Sequence, residues 1–159
     1  MAGRVVILMG SKSDLDHVKQ ITAQLEVLGV SYALRIASAH KSPRYLLDAL
    51  DESNRSTEPL GYIGVAGRAN ALAGMADANT IWPVITCPPT SPAFGGADIF
   101  SSLRMPSGVA PLVILEPANA ALAAAKLLAL ADPALRVRVA AYQAEMTDSI
   151  IAADRDINR

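Results

Sequence analysis

Cysteine is nearly absent from this chain of 159 residues: Cys87 stands alone. No internal disulfide can form, and there is no cysteine-rich metal site. Histidine occurs only twice, as His17 and His40, too few for a metal-ligating cluster. Aromatic residues make up 4% of the chain, which leaves little to sandwich a flavin or a base. Charged residues are scarce at 18%, against roughly 25% in an average soluble protein. The formal net charge of −1 argues against a nucleic-acid footprint. No apolar run approaches the roughly 20 residues that cross a bilayer. The first strand is expected to begin near Arg4, with no signal peptide expected ahead of it. The expectation is a cytoplasmic protein with neither a membrane nor a nucleic-acid partner. Apolar residues are what the chain has in abundance, at 52%. So little charge on a single domain spanning residues 1–159 implies surface buried against other subunits.

The hydrophobic pattern alternates between two periods. Arg4 to Met9 is a continuous apolar run, as expected of a strand buried on both faces. Gly10 breaks it. Leu15, Val18, Ile21, Leu25 and Leu28 then form a helical stripe within residues 14–28, closed by Gly29. Further strands are predicted at 32–37, 60–66, 81–86 and 112–115. Pro83 suggests that the fourth is an edge strand or irregular. Further helices are predicted at 43–55, 70–78, 119–131 and 134–154, with Pro43 at a first helical position. Strict strand–helix alternation predicts an α/β fold: a three-layer α-β-α sandwich around a mostly parallel five-stranded sheet. Residues 87–108 break the rhythm with a long loop rich in Pro, Gly and Ser, carrying at most a short helix near 97–104. The Ala- and Leu-rich stretch 119–131 and the last helix present more apolar breadth than one sheet face requires. A subunit interface is the expectation there, ordinary core packing the alternative.

Ligands in open α/β sheets gather at the carboxyl ends of strands, and three consecutive strand ends here carry polar residues. After the first strand comes Gly10-Ser11-Lys12-Ser13-Asp14. Two hydroxyls beside a helix start suit a phosphate, and Asp14 suits sugar hydroxyls. Helix capping by Ser13 or Asp14 explains the same residues without a ligand. The spacing fits neither a Walker A loop nor the dinucleotide fingerprint. After the second strand comes Ser38-Ala39-His40-Lys41-Ser42-Pro43. A hydroxyl, an imidazole and an ammonium this close can hold an anion and move a proton beside it. A capped helix start with an incidental histidine is the plainer alternative. After the third strand, Gly67 permits close backbone approach, Arg68 offers a fork for a carboxylate or phosphate, and Asn70 either joins the site or caps the next helix. Together the loops describe a pocket for a phosphorylated sugar bearing a group that needs one proton handled. His17 is expected to be exposed and without a role. Cys87 lacks an identifiable activating base and reads as a buried structural thiol.

Gly10-Ser-Lys-Ser-Asp14, Ser38-Ala-His-Lys41 and Ser101-Ser-Leu-Arg-Met-Pro-Ser-Gly108 resemble, in order and in register, the PurE family of purine biosynthesis. That resemblance implies a flavodoxin-like fold with C-terminal helices used in assembly into octamers or tetramers. It implies carboxylation of aminoimidazole ribonucleotide (AIR) at ring carbon C4, without metal, biotin or other cofactor. His40 would be the general acid/base at C4. Ser11, Asp14, Ser38 and Lys41, with Ser13 beside them, would bind the ribose phosphate. Gly67, Arg68, Ala69 and Asn70 would border the carbon dioxide site. Of the two branches, the direct carboxylase is the closer resemblance. The alternative is the mutase, which moves a carboxylate from N5-carboxy-AIR to C4. The mutase branch typically has Ser-Ala-His-Arg where this chain has Lys41, and a glycine-rich third loop with a histidine that this chain lacks. One departure stands out: Ala69 occupies a position where the direct carboxylases usually carry serine. A flavin- or nucleotide-binding module and a purely structural oligomer are the rivals from other classes. The first lacks aromatic residues, and the second leaves three polar loops unexplained.

Overall fold

The computed structural model describes residues 3–158. Five strands form one sheet: β1 (Arg4–Met9), β2 (Ser31–Ile36), β3 (Leu60–Val65), β4 (Val84–Thr86) and β5 (Leu112–Val113). All pairs are parallel, in the order β2-β1-β3-β4-β5. The principal helices are α1 (Leu15–Val27), α2 (Pro43–Asn54), α3 (Ala71–Asp77), α4 (Phe100–Leu103), α5 (Pro117–Leu128) and α6 (Pro133–Ile157). This is the predicted flavodoxin-like arrangement.

Strand alternation builds two cores from one run of apolar residues. Val5, Ile7 and Met9 of β1 face α1, α5 and the start of α6; Val6 and Leu8 face α2 and α3. All five are essentially inaccessible, which is why the run needs no polar positions. Helix ends follow local chemistry. Gly29, at φ 64, lets Val30 N–H reach back to the Leu25 carbonyl at 2.9 Å and closes α1. Pro43, Pro117 and Pro133 each open a helix, where a missing N–H costs nothing.

Two expectations change. Pro83 does not lie in a strand: β4 starts after it and is an internal strand, paired on both sides. The proline supplies only a carbonyl, which accepts from Tyr62 N–H at 2.9 Å. The alanine-rich helix is also less available than expected. Ala120, Ala121, Ala124, Ala125 and Leu128 of α5 are buried within the chain, because small side chains let α5 press close to the sheet and α1. Surplus apolar surface sits on α6 instead. Only Leu135 and Val139 of that helix are buried, while Met146, Ile150, Ile151 and Ile157 are exposed.

Register sets up the site. Met9 pairs with Ile36 on one side and Val65 on the other, so β1, β2 and β3 end level. The chain leaves β1 between its two neighbours, at a topological switch point, and loops diverging there leave a crevice.

Candidate active site

That crevice is a cavity of about 500 Å³ lined by Gly10, Ser11, Ser13, Asp14, Ser38, Ala39, His40, Lys41, Ala66, Gly67, Arg68, Ala69 and Leu72. Three loops far apart in sequence thus share one space. Its size falls in the range of roughly 300–1,000 Å³ usual for small-molecule sites.

The first loop is a capping box. Ser11 Oγ accepts from Ser13 N–H at 3.0 Å, and Asp14 Oδ2 accepts from Ser11 N–H at 2.9 Å. Capping and cavity lining are therefore not alternatives here. The cap is Ser11 rather than Ser13 or Asp14, and the bonds that close the turn also aim these groups at the cavity. Gly10 lines the cavity, and a Cβ there would make ordinary contact, 3.4 Å from the Ala66 Cβ.

The second loop is closed by its own serines. Ser38 Oγ accepts from Lys41 N–H at 3.1 Å, and Ser42 Oγ accepts from Ser38 N–H at 3.0 Å. These bonds leave His40 exposed in the cavity with no hydrogen-bond partner among the described residues. Lys41 is likewise exposed, and neither Lys41 nor Arg68 is in an ion pair among the described residues. Two free cations and one carboxylate, Asp14, give the cavity a net positive lining suited to an anionic ligand.

The third loop carries its unusual backbone at Arg68. Gly67 has no positive φ; Arg68 does, at 60°, alone among the described non-glycine residues. The Arg68 side chain borders the main cavity and a second one of about 130 Å³, lined also by Pro88, Pro89, Asp98 and Ile99. Asn70 is the one residue of the predicted set absent from the main cavity's lining. It is buried, caps α3 by accepting from Ala73 N–H at 3.4 Å, and donates to Thr86 Oγ1 and, at 2.8 Å, to Ser102 Oγ. The capping alternative is the one its geometry displays.

His17 is not exposed as expected. It is half-buried, with Nε2 3.1 Å from the Cys87 carbonyl oxygen and 3.4 Å from Cys87 Sγ. Burial holds its pKa below the usual histidine value, against the upward pull of that carbonyl and of the Asp14 and Glu116 carboxylates. The signal for this contact was its place in the first turn of α1, the turn that follows a strand end and so lies over the carboxyl edge of the sheet. Cys87 is inaccessible, as expected of a structural thiol, and burial pushes its pKa up to about 12. It stays a protonated thiol at neutral pH and supplies no nucleophile.

Comparison with known proteins places the chain in a family. The AIR carboxylase family matches residues 4–149. A protein of Archaeoglobus fulgidus named phosphoribosylaminoimidazole carboxylase is 51% identical over 97% of this chain and 84% of its own length. One of the same name from Treponema denticola is 44% identical over 98% of each. The crystal structure of Treponema denticola PurE superposes with a TM-score of 0.96 at 44% identity, covering 99% of both chains. A family match over nearly the whole length, joined to identity far above what a shared fold alone requires, makes this chain a member of the AIR carboxylase (PurE) family.

Proposed function

We propose that this protein carboxylates AIR at ring carbon C4 with carbon dioxide, giving 4-carboxy-AIR in purine biosynthesis. The observation that carries this reading is the convergence of three polar loops on one cavity, with an imidazole at its wall that has no hydrogen-bond partner among the described residues. No Phe, Tyr or Trp lines that cavity, which weighs against a flavin sandwich. Both relatives described above are named carboxylases, which favours direct carboxylation over the mutase reaction.

The chemistry asks for little beyond these residues. The exocyclic amine of AIR makes C4 nucleophilic, so a carbon–carbon bond forms between C4 and carbon dioxide while one C–O π pair moves onto oxygen. The adduct holds one proton too many at C4. His40 takes it, the ring regains aromaticity, and the same imidazole returns it in the reverse direction. Ser11, Ser13, Asp14, Ser38 and Lys41 hold the ribose phosphate, with hydroxyls and an ammonium matched to oxyanions. Gly67, Arg68 and Ala69 border the developing carboxylate. Asn70 acts from behind this loop, its side chain being already committed. The protein works in the cytoplasm as a homo-oligomer, an octamer or a tetramer, and the exposed apolar side of α6 supports that assembly.

The decisive assay supplies purified protein with AIR plus bicarbonate, or with N5-carboxy-AIR, and follows formation of 4-carboxy-AIR. Turnover from AIR and bicarbonate is expected. Product from N5-carboxy-AIR alone would identify a mutase instead.

A further inference from the structure

The segment Ser101-Ser-Leu-Arg-Met-Pro-Ser-Gly108 lines neither of the two cavities, so contact with a ligand there does not explain it. Its first two serines are occupied elsewhere. Ser101 Oγ accepts from Asn70 N–H at 3.0 Å. The same hydroxyl lies 3.0 Å from the Arg68 carbonyl and 2.8 Å from the Asp98 carbonyl, to either of which it donates. Asp98 Oδ2 accepts from Arg68 N–H at 3.3 Å. Ser102, buried behind them, accepts from the Asn70 side chain. The loop after β3 is thereby clasped from the segment 98–102, some thirty residues later in the chain.

Two features of the loop give the clasp a purpose. Arg68 holds a left-handed backbone, φ 60, that a residue with a Cβ disfavours, so something outside the loop must keep it there. The clasp also sorts three successive amides. Arg68 N–H goes to Asp98 and Asn70 N–H to Ser101, while Ala69 N–H, between them, has no acceptor among the described residues. Ala69 is exposed and lines the main cavity.

We propose that Ser101 and Asp98 are positioning residues that hold the Arg68 turn so that the Ala69 N–H is presented as a fixed donor to the carboxylate formed on the substrate ring. This rests on the AIR-carboxylating reading above. It explains how the site operates with alanine at 69: the donor is the backbone, and the side chain is dispensable. A preset N–H aimed at developing negative charge stabilises the transition state more than the bound ground state. Loosening it therefore acts on the carbon dioxide step and spares binding of the ribose phosphate, which other loops hold.

The test compares the full-length wild type with Ser101→Ala, Ser101→Thr and Asp98→Ala. Initial rates are measured against carbon dioxide at saturating AIR and against AIR at saturating carbon dioxide, alongside melting temperature. In Ser101→Ala, kcat/KM for carbon dioxide is expected to fall about tenfold, the size of one lost hydrogen bond, with the KM for AIR held within about twofold. Ser101→Thr, which keeps the hydroxyl, restores most of the rate, and Asp98→Ala shows the same split as Ser101→Ala. Unchanged kinetics, or losses spread equally over both substrates in step with a lower melting temperature, overturn the clasp. Should Ser101→Ala fail to fold, Asp98→Ala decides by the same split. A wild type that does not carboxylate AIR sinks the functional reading itself. An active wild type with unsplit variants sinks only the clasp.

Discussion

The chain's two histidines occupy opposite situations, and a prediction follows from each. His40 stands in the cavity with no hydrogen-bond partner among the described residues. His40→Asn is expected to lower kcat by roughly 10²- to 10⁴-fold, the usual contribution of a general base, with the KM for AIR nearly unchanged. Lys41→Ala should do the reverse, raising that KM about tenfold or more with a smaller effect on kcat, as loss of a charge-assisted contact to phosphate requires. Steady-state kinetics on both variants checks the pair. His17 is a brace between the start of α1 and the end of β4, held neutral by burial. Its folded pKa lies below the unfolded value of 6.5, so the unfolded chain binds the proton more readily. Its contribution to stability is complete above that value and is lost as pH falls below it. Melting temperature should drop between about pH 7 and about pH 5, and should drop less in His17→Gln. Neither histidine's surroundings were legible from the sequence. Residue type and spacing placed His40 at a strand end, but the contact of His17 spans 70 positions.

Elements were legible where their cause is local. Strands buried on both faces announce themselves as apolar runs, and helix starts as Pro or a capping side chain. Asp132 illustrates the second: its carboxylate accepts from Ala134 N–H at 3.0 Å and Leu135 N–H at 3.1 Å at the start of α6. Asp132→Ala should cost about 1 kcal/mol, read from urea denaturation. The reading went astray where an element's place depends on its neighbours. Pro83 pointed to an edge strand or an irregular stretch; residues 81–83 are irregular, but β4 lies inside the sheet and begins only at Val84. In residues 66–70 nothing in the sequence marks Arg68 as the residue with a positive φ. Arg68 lies within reach of residues 98 and 101, some thirty positions later, and hydrogen-bonds to both. Asn70 could be read either as a ligand or as a cap, and only its burial against Thr86 and Ser102 separates the two.

At the scale of the molecule, sparse charge and apolar excess pointed to assembly, and the alanine-rich stretch looked like the surface for it. Packing buries that stretch within the chain and leaves apolar side chains exposed on α6 instead, where Ile150 is 71% exposed and Ile157 84% exposed. Ile150→Asp should therefore shift the protein towards smaller species in light scattering, since a buried unpaired carboxylate is costly at an apolar interface. An unchanged mass would remove this helix from the assembly contact. The amino-acid sequence alone indicated the alternation of strands and helices, a mostly parallel sheet covered by helices on both faces, and the three ligand-capable loops. All of these follow from side-chain periodicity and from groups a few residues apart. Only the tertiary structure decided which side chains of those loops face the cavity, which are consumed in holding them, and which helix is left with uncovered apolar surface. Those outcomes depend on contacts between residues distant in the chain, and no local pattern encodes the distance between two loops.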